Sequence, residues 1–273
     1  MIYDDNICTL GEGAHWHPER NQFFWFDILG KRLHTKGKSW GFSGYVSAAG
    51  WVDHDTLLIA SQTALHKFDI ETGTSTLVMP LEAGNPITRS NDGRADPYGG
   101  FWIGTMGIKL EAKAGAVYRY YKGELRQLYA DLTVPNSISF TPDGGHAYFS
   151  NTPEHKVYKV ALDNEGWPKG EPEVFLDLSA EALLPDGAVV DADGNFWNAQ
   201  WGSARVAQYS PAGELIQTVA FGGQQTSCPA FGGEGLHTLF VTTAAEGLEG
   251  DAEGKVYYAE TTATGQREHK VIL

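Results

Sequence analysis

An all-β, six-bladed β-propeller is the fold this sequence predicts, and three observations predict it. Glycine supplies 33 of the 273 residues, well above the ~7% of ordinary proteins, and it is scattered at turn-like positions rather than periodic. A short apolar-aromatic run ending in small polar residues occurs six times. Its third residue falls at Trp25, Leu58, Trp102, Tyr148, Trp197 and Phe240, a mean spacing of 43 residues, which is the length of one four-stranded blade. No stretch of comparable length carries the 3.6-residue period of an amphipathic helix. The best helical candidate, residues 179–184, is one or two turns long.

The elements follow in order. The six runs occupy residues 22–29, 55–62, 99–106, 145–152, 194–201 and 237–244. After five of them comes a segment alternating apolar and polar residues, as half-buried strands do: 65–68, 116–120, 156–160, 205–209 and 255–258. Turn signals close three of these, at Glu71-Thr72-Gly73, Lys122-Gly123-Glu124 and Pro211-Ala212-Gly213. Six such units use nearly the whole chain, so residues 1–273 are expected to form one domain. Short strand-like segments at 1–3 and 270–273 are expected to close the ring from its two ends. A β-sandwich with a smaller second domain is the rival, but a sandwich has no reason to repeat at blade length.

Charge narrows the function. Lys and Arg number 20 against 34 Asp and Glu, a net charge of −14, which disfavours a nucleic-acid partner. No apolar stretch is long enough for a membrane-spanning helix. The first ten residues lack the basic and apolar regions of a signal peptide, so a cytoplasmic protein is expected. Cys8 and Cys228 are too few for a disulfide framework and are expected as free thiols. The sequence sets no oligomeric state; a monomer is compatible with it.

Four local sequences do more than a structural strand requires. Gly11-Glu12-Gly13 places a carboxylate between two glycines, either a solvated turn or a group held where backbone approaches closely. Arg89-Ser90-Asn91-Asp92-Gly93 contains a strong turn signal, yet Arg89 and Asn91 together suit the hydroxyls and carbonyl of a polar ligand. In Pro135-Asn136-Ser137, an Asn poor for strands precedes an apolar segment and needs partners if buried. Pro185-Asp186-Gly187 reads as a turn, as does Pro142-Asp143-Gly144. Asp186 differs in preceding its repeat's Asp191-Ala192-Asp193-Gly194 turn rather than lying within it. Glu, Asn and Asp oxygens from separate blades suit a hard divalent cation: Ca²⁺, Mg²⁺, Mn²⁺ or, less typically, Zn²⁺. Other motifs read blandly. His15 and His17 are expected as ordinary strand residues, Asp191-x-Asp193-Gly194 as a hairpin turn, Cys228 as a packed thiol, and the acidic segment 246–253 as a solvated loop at or near the channel mouth.

These residues, in order along nearly the whole chain, resemble the gluconolactonase/regucalcin (senescence marker protein) family, which includes luciferin-regenerating enzyme. The resemblance rests on Glu12-Gly13-Ala14-His15-Trp16 with the Asp27-Ile28 strand, on Arg89-x-Asn91-Asp92-Gly93 with Trp102-Ile103-Gly104-Thr105-Met106, on Pro185-Asp186-Gly187 through Trp201-Gly202, and on Thr226-Ser227-Cys228 with Phe231-Gly232-Gly233. It implies a six-bladed propeller with one divalent ion in its channel, ligated by Glu12, Asn136 and Asp186. It implies that Arg89 and Asn91 hold a sugar lactone. Ala14 stands where the family has Pro. Lys109 stands where some members carry a Glu near the substrate and is taken as a substrate-binding candidate. The implied activity is metal-dependent hydrolysis of a sugar lactone to its acid, with Asp186 as the candidate general base. The alternatives are a non-enzymatic Ca²⁺-binding regulator and a metal-dependent hydrolase of aryl esters or organophosphates.

Overall fold

Each apolar-aromatic run becomes the second strand of a four-stranded antiparallel sheet, and there are six such sheets. A computed structural model describes residues 1–273. The second strands are Gln22–Asp27, Thr56–Ser61, Phe101–Gly107, His146–Asn151, Phe196–Trp201 and Thr238–Ala244. The alternating segments form third strands, such as Ala64–Asp69 and Lys156–Leu162. The strand before each run is innermost: Gly11–His17, Val46–Asp53, Thr88–Ala95, Pro135–Phe140, Leu184–Val190 and Gln225–Gly232. Each inner strand packs on the next, and the sixth packs on the first, so the blades form a closed ring. There is no α-helix; residues 179–182 form a turn, and the helical elements are two 3₁₀ turns, Thr152–Glu154 and Glu234–Leu236.

Alternation along the strands explains where the core lies. Successive side chains point to opposite faces of a blade, so each blade buries one set of residues against each neighbour. Phe24 and Phe26 join Val46, Leu57 and Phe68 of the second blade. Phe23 and Trp25 join Phe240 and Cys228 of the sixth. Four further interblade clusters complete the circuit. The core is therefore an annulus with a polar axis.

The two chain ends behave differently. Ile2–Asp4 pairs with Val256–Glu260 as the outer strand of the sixth blade, so the first residues close the ring. The last residues form no strand, contrary to the expectation from 270–273. They cross the far ends of the inner strands instead. Gln266 Nε2 donates to the carbonyls of Phe140 and Val190. Glu268 pairs with Arg94, and its carbonyl accepts from Trp51 Nε1 at 2.8 Å. Val271 is fully buried between the second and third blades, with its N–H on the carbonyl of Trp51. The reason is geometric: the outer-strand place in the sixth blade is already taken by Ile2–Asp4. Truncating Val271 to Ala removes two buried methyl groups and leaves a void, about 2 kcal/mol. We expect the thermal midpoint to fall by about 4–8 °C, read by thermal unfolding; an unchanged midpoint would show that the tail is not part of the core.

Candidate active site

The inner strands do not run straight. In every blade the pairing between first and second strand slips by one residue near the start of the inner strand: after Glu12, Val46, Ser90, Asn136, Pro185 and Thr226. A bulge of this kind re-aims side chains, here at one level around the axis. In the first blade the bulge places Gly13 at φ 57°, where an added Cβ would lie 2.2 Å from the Ser47 carbonyl oxygen. Only glycine serves there. In the fourth blade Ser137 takes the same left-handed conformation, φ 61°. Its hydroxyl donates to the carbonyl of Asp186 in the next blade and accepts from Asn198 Nδ2. The turn signals at Asn91-Asp92-Gly93 and Pro185-Asp186-Gly187 are thus overruled by strand pairing, whereas Pro142-Asp143-Gly144 is a turn.

The bulges bring Glu12, Arg89, Asn91, Asn136 and Asp186 to one cavity of about 300 Å³ at one mouth of the channel. All five are buried. Two repeated contacts set their height. Asp27, ending the second strand of blade one, accepts from the N–H groups of Thr9 and Leu10, just before Glu12. Asn151, at the same place in blade four, accepts from Thr133 and Val134, just before Asn136. A hydrogen-bond chain then crosses the blades. Arg89 Nη1 donates to Asn91 Oδ1 at 2.9 Å, Asn91 Nδ2 to Asn136 Oδ1 at 2.8 Å, Asn136 Nδ2 to Thr152 Oγ1 at 2.9 Å, and Thr152 Oγ1 to the Pro185 carbonyl at 2.7 Å. Asn91 also donates to the Pro135 carbonyl. Its amide hydrogens are therefore spent on its neighbours, and it connects Arg89 to Asn136. Arg89 keeps Nε and Nη2 free of protein partners, since Nη1 makes both of its bonds.

Negative charge accumulates here. Glu12 and Asp186 lie within hydrogen-bonding reach of each other. Burial, with the neighbouring charge of Asp92, pushes the Glu12 carboxyl up to about 8. Burial and the charges of Glu12 and Asp92 hold Asp186 well above the ordinary range. Asp92, buried beneath them with Oδ2 on the Ile138 N–H, is pushed up to about 6, chiefly by burial. None of the three carboxylates forms an ion pair with Arg89, and no three His, Cys, Asp or Glu side chains converge at metal-binding distance. The donor set at the axis is two carboxylates and one amide oxygen. Hard oxygen donors whose charge Arg89 offsets only in part, without an ion pair, fit a divalent ion.

Other residues fall outside this cluster. Lys109 is exposed and not in the cavity wall. The turn closed by Leu110 N–H on the Gly107 carbonyl, and by Lys109 N–H on the Glu111 carboxylate, carries it away. Its neighbour Leu110 reaches the rim instead. His15 is buried, and burial lowers its imidazole to about 4; His17 Nε2 bonds the Asp53 carbonyl. Asp191 folds its hairpin by accepting from the N–H groups of Asp193 and Asn195. Cys8 and Cys228 are buried free thiols. Sequence reasoning did not single out Asp92, Thr152 or Trp201 as site residues, and of the acidic loop 246–253 it is Glu246 that reaches the cavity wall. Asp27 and Asn151 carried a readable signal, since each is a polar residue in the last part of a repeated run and ends the second strand of its blade. Thr152 carried none.

A six-bladed propeller whose axial cavity gathers buried carboxylates and an amide from several blades has the build of a small-molecule site on a propeller scaffold. Comparison with known proteins gives the family. A model of the SMP-30/gluconolactonase/LRE-like region matches residues 10–245, and the chain belongs to that family. It is 35% identical to an L-arabinolactonase of Azospirillum brasilense, covering 96% of this chain and 91% of that one. It is 30% identical to a 6-deoxy-6-sulfogluconolactonase of Pseudomonas putida, covering 87% and 84%. Among solved structures, a calcium-binding protein, regucalcin, from Agrobacterium tumefaciens superposes with a TM-score of 0.96 at 38% identity, over 100% of this chain and 97% of that one.

Proposed function

We propose that this protein is a hydrolase of cyclic esters that opens a sugar lactone to its sugar acid, with one divalent ion held by Glu12, Asn136 and Asp186. One observation carries the reading: side chains from three blades meet around a net negative charge, in a cavity that also presents the free N–H groups of Arg89. A bound divalent ion would supply Lewis acidity toward the ester carbonyl. The protein's own groups do the rest. Asp186, made more basic by burial, takes a proton from the water that adds to the carbonyl carbon. As the ring C–O bond breaks, that proton passes to the departing ring oxygen, which becomes a hydroxyl. Arg89 Nε and Nη2 hydrogen-bond ring oxygens, and Asn91 holds Arg89 in place. The apolar wall, including Met106 and Trp201, shields the reacting carbonyl from bulk water.

A substrate panel tests the reading. Acid release is measured with several divalent ions on an aldonolactone, an unsubstituted lactone, an aryl ester and an organophosphate. Preference for the aldonolactone is expected. Preference for the aryl ester or organophosphate would move the protein to another hydrolase class, and no release from any would leave an ion-binding propeller. In the same assay, Arg89→Ala is expected to raise KM for the aldonolactone about tenfold or more. The unsubstituted lactone, which offers fewer oxygens, should change much less. Equal effects on the two would remove Arg89 from hydroxyl recognition.

A further inference from the structure

We infer that Glu246 is a charge filter that restricts this site to uncharged lactones. The inference rests on the lactonase reading and narrows its substrate class.

Glu246 lies in the cavity wall although it belongs to a loop. It follows the second strand of the sixth blade, Thr238–Ala244. The loop is pinned across the gap to the first blade. Glu246 N–H donates to the Thr9 carbonyl at 3.0 Å, and Ala245 N–H to the carbonyls of Cys8 and Thr9 at 3.2 Å. Thr9 is three residues from Glu12, so backbone bonds fix the position of Glu246 relative to the axial cluster. Glu246 also contributes to the field on Arg89, together with Glu12, Tyr45 and Asp186.

A census of charge in the wall decides what the cavity accepts. Its acidic residues are Glu12, Asp186 and Glu246, and its one basic residue is Arg89. The formal sum is −3 + 1 = −2, which a divalent ion brings to zero. Nothing is then left to neutralise a further negative group on the substrate. Apart from Asn91, Asn136 and Thr152, the rest of the wall is apolar, including Leu10, Met106, Leu110 and Trp201. A phosphate, sulfonate or uronate carboxylate entering there would face the Glu246 carboxylate, and the free N–H groups of Arg89, the one basic residue of the wall, are taken by the lactone's own oxygens. Glu246 is itself exposed, so its repulsion acts through solvent and is open to screening by salt, and like charge at the mouth of a site still discriminates between otherwise similar ligands. A neutral aldonolactone meets no such obstacle. Relatives named for a neutral and for a sulfonated lactone show that the family spans both charges.

The test compares kcat/KM for glucono-1,5-lactone and its 6-phosphate, which share a ring, using ion-loaded protein and three chains. Wild type is expected to favour the neutral lactone by ~10- to 100-fold. Glu246→Gln is expected to cut that ratio by about tenfold, mainly by improving use of the phosphate ester. Glu249→Gln, in the same loop but outside the cavity wall, should leave the ratio as it is. Added salt should narrow the ratio in wild type more than in Glu246→Gln, because screening acts on charge and not on bulk. Equal use of both lactones by wild type, or a ratio that Glu246→Gln does not move, overturns the filter. Turnover of neither lactone overturns the lactonase reading itself, and the filter with it.

Discussion

Asp186→Asn is expected to lower kcat for lactone opening by about 10³-fold or more, because it removes both a proton acceptor and an anionic donor to the ion. The substitution keeps the shape of the side chain. It also leaves the backbone contacts of Asp186 in place, since Ser137 Oγ and Asn198 Nδ2 donate to its carbonyl and not to its carboxylate. The variant should therefore fold. Without the ion it should be more stable than wild type near pH 8, where two carboxylates of like charge are otherwise forced together. Three readings check this: acid release, calorimetric titration with Mn²⁺, and the thermal midpoint in chelator. Activity, Mn²⁺ affinity and stability should move in opposite senses, the first two down and the third up. Full turnover by Asp186→Asn would take this residue out of the chemistry.

Chelation is expected to silence the protein and to expose a pH dependence. The Glu12 carboxyl, ordinarily near 4.5, sits at about 8 when its charge is uncompensated. Between those values the folded chain holds a proton that the unfolded chain has released. Stability is therefore fully present below about 4.5 and is lost as pH rises toward about 8. Asp186 and Asp92, both raised, act in the same direction. Ion binding expels these protons, so the gain in stability on adding Mn²⁺ or Ca²⁺ should grow with pH. The thermal midpoint of chelated protein should fall from pH 5.5 to 8, and the ion-induced rise should be larger at pH 8. An ion effect independent of pH, or chelated and dialysed protein that opens gluconolactone at its full rate, would exclude Glu12 and Asp186 as ion ligands.

The blades were legible because each obeys a local rule. Phe23-Phe24-Trp25-Phe26 must bury both of its faces, and that requirement appears as an uninterrupted apolar run repeated at blade length. The candidate site was partly legible, because Glu12, Asn136 and Asp186 are poor choices for a purely structural strand. What hid the rest was the bulge. Asp186 and Asp143 share the tripeptide Pro-Asp-Gly, yet one lies in a strand and the other in a turn. The difference comes from pairing with Phe196–Trp201, a contact that no window of ten residues contains. Lys109 is exposed and lies outside the cavity wall, in a turn whose next residue, Leu110, reaches it. Asn91 was placed correctly and its partners were not, because Pro135 and Asn136 lie more than 40 residues on.

The crossing of the last residues beneath the ring has a consequence for traffic. Gln266, Glu268 and Val271 tie together the strand ends on the side away from Glu12 and Asp186, so the two faces of the ring are built differently. The cavity that gathers the site residues opens on the other face. A lactone arrives without charge, but the acid made from it departs as an anion. The rim of that cavity carries Glu246, so entry and departure meet the same carboxylate in opposite states of ligand charge.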